Sequence, residues 1–266
     1  MSLIMNAKRI ESIAADIATG AIRIVDLTHT LDRNFPVIVM PPELGQCARF
    51  RLEEVSHYDE RGPAWYWHNF ICSEHTGTHF DAPIHWVSGK DLPNNSVDTI
   101  PPERFIAPAF VIDCSKEAAE NPDFDLKVDF VKDWESKHGQ ISPGSWVLMR
   151  TGWWKEKSIE YINLRADGAH SPGPTPEVIR FLVDERDILG FGTETVGTDA
   201  GQGAHFVPPY PAHYYLHGKG RYGLQCLTNL DQLPPIGSLI IAAPLKIKKG
   251  SGSPLRVLAL APGNGA

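Results

Sequence analysis

The densest chemistry in this 266-residue chain lies between residues 75 and 85, in His75-Thr-Gly-Thr-His79-Phe-Asp81-Ala-Pro-Ile-His85. Three imidazoles and a carboxylate stand at odd-numbered positions, and in extended backbone residues two apart project to the same side. His75, His79, Asp81 and His85 would then share a face, with Gly77 leaving room at their centre. A helix would not gather them: at about 100° per residue Asp81 falls about 240° round from His75, and Gly77 and Pro83 oppose helix. Two imidazoles and a carboxylate are a usual donor set for a borderline divalent cation such as zinc or manganese. The competing reading is a histidine-rich loop that bonds only to itself. It is strong for an isolated His-x-x-x-His pair, but the aligned Asp81, the central Gly77 and the additional His85 weigh against it here.

Other motifs do not compete. The chain has no G-x-S-x-G elbow, no P-loop and no G-x-G-x-x-G after a strand. Trp65, Trp67 and Trp86 bracket the histidine motif and could sandwich a flat aromatic substrate, since ring stacking adds ~0.5–1.5 kcal/mol beyond burial; core packing is the equal alternative for each. His205, His213 and His217 fall in a Pro-Tyr-Gly-rich stretch that reads as a loop closing over a site. Asp199, after Gly197 and Thr198, is read first as a turn residue and second as a carboxylate that orients a histidine. Cys72 is expected to be a buried thiol.

The elements that must position these groups are legible in outline. Residues 22–27, 65–72, 110–113, 146–150, 189–193, 239–244 and 256–261 are β-branched or aromatic runs bounded by Gly, Pro and Ser, and read as strands. Residues 6–19 place Ile10, Ile13, Ala14 and Ile17 on one helical stripe. Helical periodicity returns at 130–137 and at 175–185, where Pro176 follows a Thr175 N-cap. The expectation is an α/β chain with more strand than helix, comprising an N-terminal helical arm at 1–20 and one domain at 21–266. Its 22 prolines and 23 glycines mark long shaped loops rather than a flexible linker.

Composition narrows the function. A hydrophobic share of 42% with no heptad or Gly-X-Y period reads as globular. A net charge of -7 argues against nucleic acid as a partner. No apolar run approaches the ~20 residues of a membrane span. The absence of a signal-peptide h-region, with four scattered cysteines and no C-x-x-C, points to the cytoplasm.

The 75–85 segment resembles the signature of the cyclase family, His-x-Gly-Thr-His-x-Asp-x-Pro-x-His, whose members include kynurenine formamidases and isatin hydrolases. Supporting matches are Val25-Asp-Leu-Thr-His29, Val147-Leu-Met-Arg-Thr-Gly-Trp153, Gly197-Thr-Asp199 and Gln225-Cys-Leu-Thr-Asn229-Leu, so the resemblance covers roughly residues 22 to 262. It implies a swivelling β/β/α domain with a strand-rich mixed sheet, a homodimer or homotetramer, and hydrolysis at a metal held in the first motif. In the kynurenine formamidase branch a Glu that helps hold two zinc ions stands where this chain has Gln225, and its partner histidine corresponds to His213. A neutral amide cannot offset a second cation, so one divalent metal on His75, His79, Asp81 and Gln225 is expected, manganese ahead of zinc, as in the isatin hydrolase branch. His85 is then left free as general base and acid, and His213 to stabilise an oxyanion or hold a carbonyl. The expected substrate is a small aromatic amide, isatin first, N-formylkynurenine second and a lactone third. From another class, a non-catalytic metal-binding protein remains, opposed by the open coordination position such a donor set leaves.

Overall fold

Along the strand Trp146–Arg150, Trp146 and Leu148 enter one apolar cluster while Val147 and Met149 enter another, as the two-residue period of a strand requires. A strand buried on both faces must lie inside a layered molecule. The computed structural model, which describes residues 3–155 and 161–263, shows those layers.

The described elements run α1 (Leu3–Thr19), β1 (Ile22–Asp26), β2 (Arg51–His57), β3 (Tyr66–Ile71), β4 (His79–Asp81), β5 (Ile106–Asp113), α2 (Ser115–Glu120), β6 (Asp125–Leu126), α3 (Val128–His138), β7 (Trp146–Arg150), β8 (Leu164–Arg165), β9 (Gly168–Ala169), β10 (Gly173–Pro174), α4 (Pro176–Arg180), β11 (Gly190–Thr193), α5 (Pro211–Gly218), β12 (Tyr222–Gln225), β13 (Ser238–Ile241), β14 (Gly252–Pro254) and β15 (Leu258–Pro262). Nine strands form one mixed, curled sheet in the order β1-β15-β13-β5-β7-β11-β12-β4-β14. Its centre, β5-β7-β11-β12, is parallel, and both flanks are antiparallel. On one face Phe80, Trp146, Leu224 and Ile240 pack together as the sheet curls on itself. On the other, Val147, Met149 and Phe191 are covered by Val131 and Trp134 of α3, Val178 and Ile179 of α4, and Ala212 and Leu216 of α5.

Local chemistry explains the helix starts. Thr175 Oγ1 accepts from Val178 N at 3.4 Å ahead of Pro176, as the sequence predicts. The helix then widens into one π turn at Phe181–Glu185. β2 and β3 stand apart as a two-stranded ribbon with Leu52, Trp65, Trp67 and Phe70 exposed around it. β2 escaped the sequence reading because its charged residues interrupt any apolar run. Ile10 and Ile13 of α1 are also exposed.

Among the described residues no helix is long and apolar enough to cross a membrane. The four cysteines are free thiols, and Cys72 is half-buried rather than buried. The expected arm and domain bounds take in residues 1–2, 156–160 and 264–266, which lie outside the described residues.

Just beyond β11 the wholly buried Glu194 ties two strand exits together, its Oε2 accepting from Thr151 N at 2.7 Å and Gly152 N at 2.5 Å. Its Oε1 has no partner among the described residues. Burial, only partly offset by the Thr151 and Gly152 bonds, raises the carboxyl from 4.5 to about 7. A carboxyl raised on folding contributes full stability below its unfolded value and loses it as pH climbs through the folded one. The unfolding midpoint of the wild type is therefore expected to fall more between pH 5 and pH 8 than that of Glu194→Gln, as thermal unfolding at the two pH values would measure.

Candidate active site

The backbone from His75 to His85 is not one extended run. Gly77 takes φ +67, a left-handed conformation open to glycine, and turns the chain between His75 and His79. Only His79–Asp81 is strand, and Pro83–His85 is a 3-10 turn. The four groups still converge, through pairing that the sequence pattern does not contain. On one side β12 sets Gln225 opposite His79 and Gly223 opposite Asp81; on the other β14 sets Gly252 opposite Asp81. Phe80 and Leu224, pointing the other way, anchor this corner in the core. A Cβ on Gly252 would lie 2.6 Å from His75 Cε1, and one on Gly223 3.2 Å from Asp81 Oδ2. These two glycines keep the space that the sequence reading assigned to Gly77.

Asp81 is the centre, wholly buried. Its Oδ1 lies 2.7 Å from His75 Nδ1 and 3.4 Å from His79 Nε2. Its Oδ2 accepts from the Gln225 amide and lies 3.6 Å from His213 Nε2. The other ring nitrogens fix the tautomers. His79 Nδ1 donates to the Gly77 carbonyl at 2.7 Å, so Nε2 carries a lone pair. Ser251 Oγ donates to Glu74 Oε2 at 2.6 Å, so it accepts from His75 Nε2 at 2.9 Å, and in the neutral ring His75 Nδ1 is then bare. Two imidazole lone pairs thus face a carboxylate oxygen, an arrangement that needs a cation between them. Among the described residues no lysine or arginine supplies it, since the groups paired with Asp81 are all imidazoles. Burial pushes His79 to about 4 and His85 to about 3, which keeps both neutral near pH 7. Burial would raise the Asp81 carboxyl, but His85, His75 and His79 hold it well below its ordinary value. The residues present therefore fit a divalent ion, with nitrogen and oxygen donors suited to zinc or manganese. Asp81, His85 and His213 also gather within 4.8 Å, but they share the one carboxylate.

The His85 ring lies against His75 with centroids 3.9 Å apart and planes tilted by 33°, and it makes no hydrogen bond among the described residues. His213 and His217 are not in a loop. Pro211 opens α5, which carries both one turn apart. Asp199 does more than turn the chain: its Oδ1 accepts from Ala212 N at 2.6 Å, and its Oδ2 from His213 N at 3.2 Å and from His213 Nδ1 at 2.5 Å. It therefore caps α5 and aims His213 at Asp81. Burial would lower the His213 ring, but the Asp199 bond and charge raise it above 6.5. Trp86 lies 4.8 Å from His213 and 5.7 Å from Tyr210, centroid to centroid, at the site. Trp65 and Trp67 stand exposed at the β2-β3 ribbon, and their rings pair with none of these. A cavity of ≈ 700 Å³ opens beside His213, walled by Tyr161, Val196, Gln202, His205 and Tyr210, within the size range of small-ligand sites. The Ser251 relay had no sequence signal, because its bonds to His75 and Glu74 join residues 176 and 177 apart.

Residues 25–200 match the model of the putative cyclase family. The chain is 46% identical over 256 residues to the isatin hydrolase of Roseibium aggregatum, covering 95% of this chain and 97% of that protein. It is 31% identical over 193 residues to the kynurenine formamidase of Salinibacter ruber, covering 70% and 76%. The structure of isatin hydrolase A from Labrenzia aggregata bound to benzyl benzoate superposes with a TM-score of 0.94 at 68% identity, covering 96% of this chain and 99% of that one. An isatin hydrolase bound to the product analogue thioisatinate gives 0.95 at 44%, covering 98% and 100%.

Removing the Asp199 carboxylate tests how it positions His213. A histidine raised on folding gives its full stability below 6.5 and loses it as pH rises through the folded value. Asp199→Ala is expected to destabilise by about 1–2 kcal/mol through the lost cap, with a larger gap from wild type at pH 6 than at pH 9 in urea unfolding.

Proposed function

The chain belongs to the cyclase family, and we propose on that premise that it is a metal-dependent hydrolase that opens the cyclic amide of isatin to isatinate. One observation carries the reading: a wholly buried Asp81 faced by ring nitrogens of His75 and His79, with Gln225 on the strand paired with His79, a donor set that a divalent ion would fill. His75, His79, Asp81 and Gln225 would hold it, manganese ahead of zinc. Gln225 brings no charge, so a second divalent ion would have no second anion.

The bound ion supplies Lewis acidity, making water a better acid and the amide carbonyl a better electrophile. The chain's own groups do the rest. His85, neutral and without a ring hydrogen bond, takes a proton from water as it adds to the amide carbonyl, and returns it to the ring nitrogen as the C–N bond breaks. The products are a carboxylate and an aryl amine, with one water consumed and one proton released to solvent. His213, held protonated on Nδ1 by Asp199, presents Nε2 toward Asp81 and can steady the developing oxyanion when charged. Trp86 and Tyr210 offer faces and edges for a flat aryl ring.

Isatin stands first because of the kinship with isatin hydrolases, and N-formylkynurenine second because of the kynurenine formamidase relative. The catalytic body is residues 21–266, with 1–20 an arm. The exposed Ile10 and Ile13 of α1 and the exposed aromatic residues at the β2-β3 ribbon are the apolar surface a homodimer or homotetramer would cover. The free thiols suit a reducing cytoplasm.

Chelated enzyme is expected to be inactive and one equivalent of manganese to restore it, followed by isatin absorbance with N-formylkynurenine in parallel. Two tightly held equivalents would overturn the single-ion assignment. His85→Ala is expected to keep its metal and lose about 10²–10⁴-fold in kcat; metal loss in that variant would make His85 a ligand instead.

A further inference from the structure

α5 carries a histidine that this mechanism leaves idle. His217 is wholly buried, its ring 5.6 Å from His213 and 6.0 Å from His85, edge-on to the latter at 83°. Its Nδ1 lies 3.1 Å from the Arg221 carbonyl oxygen. A carbonyl only accepts, so Nδ1 carries the proton and Nε2 is a bare acceptor. That Nε2 is buried without a partner among the described residues, a state that costs the fold the desolvation of an acceptor. A position needing only bulk would be filled by Leu or Phe at no such cost.

The complementary group is His85, whose ring nitrogens make no hydrogen bond among the described residues although the ring is held against His75. His213 is not available, because Nδ1 is bound to Asp199 and Nε2 faces Asp81. The backbone fixes the relation between the two elements. Ser88 Oγ donates to the Tyr214 carbonyl at 2.8 Å. Gly89 fits so tightly that a Cβ there would lie 2.2 Å from the Pro83 oxygen and 2.7 Å from the His217 oxygen. The turn bearing His85 and the helix bearing His217 are thus held as one unit.

We infer that His217 is a positioning residue for His85: its Nε2 accepts, through one bridging water, the hydrogen bond that a ring N–H of His85 donates. The bond selects the tautomer whose other nitrogen turns its lone pair toward Asp81 and the attacking water. This rests on His85 being the base in the reading above.

Two variants separate the nitrogens. In His217→Asn the amide stands where Nδ1 was and keeps the Arg221 bond, with nothing at the Nε2 position. In His217→Gln an amide stands at Nε2 and the Arg221 carbonyl loses its donor. On the manganese-loaded enzyme, His217→Asn is expected to lose about 10- to 100-fold in kcat with KM, metal content and unfolding midpoint close to wild type, and His217→Gln to recover most of that loss. Wild-type kcat in His217→Asn, or an equal loss in both variants, overturns the inference and leaves His217 a packing residue. Ring-nitrogen NMR of His85 in zinc-loaded wild type checks it without a variant: one fixed neutral tautomer supports it, and an even mixture of tautomers overturns it. A wild type that consumes neither isatin nor N-formylkynurenine refutes the reading of the site instead, so the two failures are distinguishable.

Discussion

A carboxylate withdrawn from water with no lysine or arginine beside it among the described residues is the constraint on which this structure turns. Asp81 is wholly buried at the middle of a corner made by β4, β12 and β14. An isolated buried anion is expensive, and here imidazole lone pairs are aimed at it as well. Every neighbour is arranged around that problem. His79 is locked by the Gly77 carbonyl, His75 by a Ser251-Glu74 relay, and Gln225 reaches in from the adjacent strand. Without a cation the arrangement is frustrated; with one it becomes a preorganised centre, which is why the fold and the chemistry cannot be described separately.

The sheet makes the preorganisation possible. At β4 the sheet passes from parallel pairing, β11 with β12, to antiparallel pairing on either side of β4. The alternation of a strand sends Phe80 into the core and His79 and Asp81 to the opposite face. α5 packs Ala212 and Leu216 into the helical layer and presents His213 and His217 to the site. Asp199 joins the two halves, since one carboxylate both caps α5 and orients His213. Tyr161, Gln202 and Tyr210 wall the cavity beside it.

How much of this was legible follows from which interactions are local. The motif from His75 to His85 was legible because its residue types are close in sequence, and β7 and the α4 start because alternation and capping act over a few residues. The single extended run was not correct, because Gly77 adopts a left-handed turn and Pro83 begins a 3-10 turn. The loop assigned to His213 and His217 proved to be a helix, since Pro211 and the distant Asp199 cap supply a start that no residue just ahead of Pro211 supplies. Trp65 and Trp67 flank the motif in sequence yet stand on a separate ribbon, whereas Trp86 meets His213.

The sequence by itself determined the donor types, the single carboxylate within the metal motif, the absence of charge at Gln225 and the apolar periodicities that make an α/β sheet. Those are properties of side chains and their nearest neighbours. Tertiary structure alone decided that Gln225 lies opposite His79, that Ser251 sets the tautomer of His75, that Asp199 aims His213, and that His217 lies edge-on to His85. These relations join residues brought together by strand pairing and helix packing, and their orientation depends on a burial that no local pattern encodes.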